Sequence, residues 1–187
     1  MLGLGAGWFA WEHEAFGVPF PPVGERVSLF ADALAYVDTF LRNDVASYEG
    51  PHFRMADAPN LPRPVQQPRM PIIVGAHGPR LIQIAARYAD IWNSRGTVDE
   101  MRERSTAMDA ACVAAGRDPS EVVRSVSYFP SRSPEAKVWS SPEAFVAWVE
   151  QFRAIGLTDF IFDEPFPEDA ETASTIAREA LPELRRG

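Results

Sequence analysis

The stretch that most constrains the fold is residues 71–94, Pro-Ile-Ile-Val-Gly-Ala-His-Gly-Pro-Arg-Leu-Ile-Gln-Ile-Ala-Ala-Arg-Tyr-Ala-Asp-Ile-Trp-Asn-Ser. Ile72, Ile73 and Val74 form a short β-branched run, which suits a strand buried on both faces. Gly75-Ala76-His77-Gly78 breaks the run, and Pro79 suits the first position of a helix, where its missing N–H is not needed. Leu81, Ile82, Ile84, Ala85 and Tyr88 recur at helical spacing, and Ile91-Trp92-Asn93 reads as a second strand. Strand, turn, helix and strand in so short a span is a βαβ unit with a tight crossover, which implies a parallel sheet.

The turn inside this unit can carry chemistry. Glycines at 75 and 78 let the backbone approach a ligand and adopt φ > 0. A helix start presents free N–H groups and a partial positive charge, which suits a phosphate. His77 and Arg80 supply further donors. The residues alone fit a plain glycine turn as well.

Composition narrows the partners. The chain has 187 residues, 46% of them hydrophobic, and a net charge of −8. That length is enough for one domain with a real core. The acidic balance argues against nucleic acid and against anionic membrane, so an anion site must be a local feature. Cys112 is the only cysteine, so no internal disulfide forms, which fits a cytoplasmic location. No apolar run reaches the roughly 20 residues of a membrane span, and Met1 onwards lacks the pattern of a signal peptide.

In chain order, Leu2 and Leu4 alternate with Gly3 and Gly5 as at the end of a strand, and Gly5-Ala6-Gly7 opens a loop. These glycines are not a dinucleotide fingerprint, because Trp8, Phe9, Trp11 and then Pro19, Pro21 and Pro22 follow where a helix is required. Residues 24–43 form a helix with Val27, Phe30, Ala31, Leu34, Val37, Phe40 and Leu41 inward. Residues 47–54 read as a hairpin or extended turn, and prolines 59, 62, 64, 68 and 71 give an extended connector. Thr97-Val98-Asp99-Glu100 has capping-box spacing. The helix it starts turns Val98, Met101, Met108, Cys112 and Ala115 inward and ends at Gly116. Residues 122–129 read as a strand and 131–141 as a polar loop. Ser141-Pro142-Glu143 starts a helix with Phe145, Trp148, Val149 and Phe152 on one face. Residues 159–162 form a last strand, and a final helix spans about 169–184 with a disturbance at Pro182. Strands near 2–5, 71–75, 90–93, 122–129 and 159–162, each followed by a helix, make a parallel α/β fold with about five βα units. A complete (β/α)₈ barrel has eight units in about 250 residues.

Several pieces, in one order, resemble the luciferase-like monooxygenase superfamily, in particular its branch that uses coenzyme F420 or FMN. They are Leu-Gly-Leu-Gly-Ala-Gly-Trp at 2–8, Phe-Gly-Val-Pro-Phe-Pro-Pro-Val-Gly-Glu-Arg at 16–26 and Tyr-Glu-Gly-Pro-His-Phe at 48–53. Pro-Arg-Pro-Val-Gln-Gln-Pro at 62–68, Ile-Ile-Val-Gly at 72–75, Ala-Ala-Arg-Tyr-Ala-Asp-Ile-Trp-Asn at 85–93 and Gly-Arg-Asp-Pro at 116–119 continue the match. The resemblance implies a TIM barrel with FMN or F420 at the C-terminal ends of its strands. The strands here then correspond to the fourth through eighth, making an incomplete barrel treated as a single partial domain. The family's first three units, which carry much of the wall around the cofactor ring, have no counterpart. The resemblance matches Ala6 and Gly7 to positions approaching the cofactor, and Gly75, Ala76, His77, Gly78 and Arg80 to the phosphate-holding turn.

The expectation is therefore an oxidoreductase acting on a small organic molecule, with little activity from this chain alone. Alternatives are a non-catalytic flavin-binding or assembly subunit, and an unrelated phosphate-binding barrel lyase or isomerase. Glu12, His13 and Glu14, and Asp163 with Glu164, are further acid–base candidates at strand ends. The histidines at 13, 52 and 77 lack metal-site spacing, so no metal is expected. Open sheet edges at 2–5 and 159–162, and an uncovered inner face that leaves Leu4, Ile73 and Ile161 facing water, imply self-association or pairing with a fragment that carries further units.

Overall fold

The computed structural model describes residues 1–186. The chain divides into two compact units, Met1–Trp92 with Thr106–Val122, and Asn93–Ser105 with Val123–Gly187.

The first unit opens with strand β1 (Leu2–Leu4) and a short helix α1 (Ala10–Ala15). Helix α2 (Val23–Arg42) follows, then a hairpin of β2 (Val45–Glu49) and β3 (Arg54–Pro59). After the proline-rich connector come β4 (Ile72–Gly75), α3 (Pro79–Tyr88) and β5 (Ile91–Ser94). Helix α4 (Val98–Ala114) follows β5. The parallel order in this unit is β1-β4-β5. Leu2, Gly3 and Leu4 lie opposite Ile72, Ile73 and Val74. The βαβ unit read from residues 71–94 is present, with Ile72 and Val74 fully buried. Helix α2 buries Val27, Phe30, Leu34 and Leu41, as its apolar spacing requires, and it also buries Asp32.

Two local expectations change here. The segment after Gly7 is not all loop, since α1 forms three residues later; it buries none of its side chains. Helix α4 starts with the expected capping box, Glu100 Oε2 accepting from Thr97 N at 2.8 Å and Thr97 Oγ1 from Glu100 N at 3.3 Å. Met101, Met108 and Cys112 are fully buried, whereas Ala115 lies past the helix end and is exposed.

The second unit carries β6 (Val123–Tyr128), α5 (Pro142–Arg153), β7 (Asp159–Phe162), α6 (Ala170–Arg178) and α7 (Ala180–Leu184). β5 belongs to both units, and the order in the second is β5-β6-β7, with Ser125 to Tyr128 opposite Asp159 to Phe162. Ser141 caps α5, its Oγ accepting from Ala144 N at 3.1 Å. Residues 131–141 are not a plain polar loop. They form short 3₁₀ turns, and Val138 and Trp139 enter a core with Tyr128, Phe145, Val149 and Ile176. The C-terminal helix breaks at Glu179 rather than Pro182. Pro182 falls in the first turn of α7, where a missing N–H costs no intrahelical bond. Ile161 is 41% exposed, as expected, while Leu4 and Ile73 are partly buried. Among the described residues no helix is long and apolar enough to cross a membrane.

Candidate functional site

The register of β1 on β4 brings the two glycine motifs together. Leu4 pairs with Val74, so Gly5-Ala6-Gly7 and Gly75-Ala76-His77-Gly78 leave neighbouring parallel strands at the same, C-terminal end. In parallel α/β folds this end is where ligands bind.

The glycines of the second motif act differently from the sequence expectation. Gly75 is the last residue of β4, and Gly78 is extended, with φ −87° and ψ 157°, as the N-cap of α3. Neither uses positive φ; that conformation falls to Gly7, at 72°. What Gly75 and Gly78 contribute is space, because a Cβ on either would meet no atom within 4 Å. No side chain caps α3, and Pro79 occupies its first turn. The N–H groups of Arg80 and Leu81 therefore have no intrahelical acceptor. Gly75, His77 and Arg80 are exposed around this open space, and Arg80 makes no ion pair among the described residues. Ala76 is the exception, since its side chain is fully buried and anchors the turn from below.

Three interactions hold this turn and its helix in place. The buried Trp92 indole Nε1 donates to the Ala76 carbonyl at 2.8 Å. At the far end of α3, Arg117 donates to the carbonyls of Ala86 at 3.2 Å and Ala89 at 2.6 Å. Arg69 donates to the Tyr88 carbonyl at 2.9 Å and pairs with Asp38 at 2.6 Å and Asp90 at 2.5 Å. The Asp90 carboxylate also accepts from Ile72 N at 2.7 Å, at the start of β4. Cations at a helix C-terminus complement its dipole, so both ends of the β4–α3 unit are fixed by charged hydrogen bonds while its N-terminal turn stays open.

Gly7 faces a neighbour. A Cβ there would lie 3.5 Å from His13 Cε1, and the His13 ring packs tilted against Phe20, 4.6 Å between ring centroids, with Nδ1 3.1 Å from the Phe9 carbonyl. His13 is thus beside the first motif, while Glu12 and Glu14 point into solvent. Asp163 and Glu164 are exposed at the end of β7 in the second unit. Trp92 is fully buried in the core; Phe152 is core too, and Trp148 is partly buried against it at 4.5 Å between ring centroids.

Sequence reasoning missed Asp32. It sits in the apolar stripe of α2 and is 5% exposed, accepting hydrogen bonds from the Tyr48 hydroxyl at 2.5 Å, His52 N at 2.7 Å and Phe53 N at 2.8 Å. Burial raises its carboxyl, but the three donors together bring it below its ordinary value. The same carboxylate, with burial, pushes the Tyr48 hydroxyl up to about 12. A lone acid within a buried stripe was the available signal, because such a group needs partners. It fastens the hairpin to α2.

A parallel α/β sheet with an open glycine turn at the start of a helix is an arrangement of the TIM-barrel type. The chain belongs to the luciferase-like monooxygenase family, which it matches over residues 1–187. It is 22% identical over 234 aligned positions to an F420-dependent glucose-6-phosphate dehydrogenase of Microbacterium testaceum, covering 100% of this chain and 69% of the relative. It is 32% identical to a phthiodiolone/phenolphthiodiolone dimycocerosates ketoreductase of Mycobacterium kansasii, covering 67% of this chain and 34% of the relative. A solved F420-dependent secondary alcohol dehydrogenase, in complex with an F420-acetone adduct, shares the fold with a TM-score of 0.75 at 14% identity, covering 93% of this chain and 67% of that one. The chain thus spans 34% to 69% of the length of these two curated relatives. Family membership sets aside the unrelated lyase or isomerase.

Proposed function

We propose that this chain is the cofactor-phosphate-holding part of an oxidoreductase that uses F420, or FMN in its place, on a small organic substrate. The observation that carries the reading is the open turn at Gly75–Arg80, delivered beside Gly5–Gly7 by the β1–β4 register. The turn fits a phosphate, since no Cβ fills the space above it and unpaired N–H groups point from the helix start. The names of the relatives and structural neighbours favour F420 as the first cofactor to test.

In this reading the N–H groups of Arg80 and Leu81 hydrogen-bond the phosphate, and the Arg80 guanidinium adds a charge-assisted donor. His77 stands at its flank. The buried Ala76 side chain and the Trp92 bond keep the donors from moving when the anion binds. Ala6 and Gly7 form the neighbouring rim and would line the approach of the cofactor, Gly7 turning the chain there through a left-handed conformation. The cofactor, when bound, supplies hydride transfer.

The test is a titration of F420, followed by its fluorescence, against wild type and Arg80→Ala, repeated with FMN. Saturable binding that Arg80→Ala weakens supports the reading. Absence of binding by either cofactor refutes it.

A further inference from the structure

The second unit contains a cavity of about 540 Å³ whose wall is unusual for so acidic a protein. Arg95, at the end of β5, Arg104, on α4, and Arg132, after β6, all line it, and Glu100 is the single acid among its lining residues. Across the chain acids outnumber bases 26 to 18, yet here the bases outnumber acids three to one.

Arg95 makes no side-chain hydrogen bond or ion pair among the described residues. Its guanidinium is lowered from the ordinary value by burial first, and then by the positive charges of Arg132 and Arg104. Arg104 is half-buried and held in place: Nη1 donates to the Arg95 carbonyl, and Nη2 lies 3.5 Å from Glu100 Oε1. Gly96 makes room for it. Its φ is 147°, and a Cβ there would come within 2.9 Å of Arg104 Nη1 and 2.5 Å of Glu100 Oε2. Arg132 lies 5.8 Å over the Phe129 ring. Glu100 is itself committed to the Thr97 cap, which ties up one of its oxygens. Like charges gathered in one wall raise the free energy of the empty state, and the fold retains them at a cavity rather than dispersing them into solvent.

We propose that this cavity binds the anionic group of a small organic molecule, a phosphate monoester or a carboxylate, between Arg95, Arg104 and Arg132. Arginine forks match both oxyanions bidentately. The Gln151 amide adds a polar group, and Trp148 and Phe152 offer an apolar wall for the carbon skeleton. This site is built from residues of the second unit alone and does not depend on the cofactor turn of the first.

Calorimetric titration of the whole chain with inorganic phosphate, succinate and glucose, at constant ionic strength, tests it. All titrations use the Arg80→Ala background, so that loss of the turn at 75–80 is not confused with loss of this site. One saturable anion site is expected, with glucose silent. Arg95→Gln and Arg132→Gln are each expected to weaken it about tenfold or more, the scale of one charge-assisted hydrogen bond. In a parallel NMR titration the Arg95 Nε–H resonance should shift to saturation. Stronger binding of phosphate assigns the site to phosphate monoesters, and stronger binding of succinate to carboxylates. Arg95→Gln should also raise the anion-free melting temperature, because it removes a repelling charge. Absence of saturable binding by both anions, or unchanged affinity in both glutamine variants, overturns the proposal.

Discussion

Replacing Arg69 with methionine tests whether the charged clamp holds the β4–α3 unit. Arg69 is 5% exposed and bridges Asp38 on α2, Asp90 before β5 and the Tyr88 carbonyl at the end of α3. Removing one member of a fully buried ion pair costs roughly 3–5 kcal/mol, because the remaining charge is stranded. Here the carboxylates left behind are not fully buried: Asp38 is 17% and Asp90 38% exposed in its side chain. Each also keeps a donor, Asp38 from Arg42 at 2.8 Å and Asp90 from Ile72 N at 2.7 Å. Water and these donors relieve part of the penalty, so Arg69→Met is expected to cost about 2–3 kcal/mol. For a chain of this size that lowers the melting temperature by roughly 4–12 °C. Arg69→Lys keeps the charge but loses the fork, and should cost about half as much. Urea unfolding at neutral pH, followed by tryptophan fluorescence and by circular dichroism, measures both. A loss below about 0.5 kcal/mol in Arg69→Met, the range of ordinary surface substitutions, would refute the clamp.

Trp92→Phe removes the indole donor to Ala76 and leaves a carbonyl without its partner, an expected cost of about 1–3 kcal/mol in the same assay; it should also weaken cofactor binding although Trp92 is fully buried. The Tyr48 hydroxyl, held up to about 12 by Asp32, contributes stability that is complete below its unfolded value near 10 and is lost as pH rises from there through about 12. Difference absorbance should show a late-titrating tyrosine that is lost in Tyr48→Phe, leaving Tyr128, whose hydroxyl burial also raises. Asp32, held low in the folded chain, contributes stability that is present above its unfolded value, roughly 4, and lost as pH falls through the folded one. Asp32→Asn should flatten the acid limb of the melting-temperature profile, and an unchanged limb would argue against the assignment. Exposed Trp8, Trp11 and Phe16, at 64%, 65% and 79%, support the proposal of self-association; light scattering at micromolar concentration should show species larger than a monomer, and a monodisperse monomer would count against it.

The elements legible in the sequence were those whose signal is local. Ile72-Ile73-Val74, the apolar stripe of α2 and the Thr97–Glu100 capping box each declare themselves within a few residues, and each formed as expected. The turn at Gly75–Arg80 was legible for the same reason, although its glycines provide space rather than positive φ. What escaped was non-local. Arg69 sits in a segment dominated by prolines, and its partners lie 31 and 21 residues away. Arg95, Arg104 and Arg132 are scattered through a helix and two strand ends, and only the fold brings them to one cavity. Val138 and Trp139 were hidden by a polar average over residues 131–141, yet they fill a core that α5 alone would leave open.

The most direct measurement of the proposed phosphate site at Gly75–Arg80 is the dissociation constant of F420 for wild type against Arg80→Ala, with inorganic phosphate as competitor. Arg80 is exposed and makes no ion pair among the described residues, so its loss should not disturb the fold, which the melting temperature verifies. Saturable binding is expected, weakened about tenfold or more in Arg80→Ala with an unchanged melting temperature, and displaced by phosphate in wild type. Equal affinity in the two proteins, with no competition by phosphate, would contradict it.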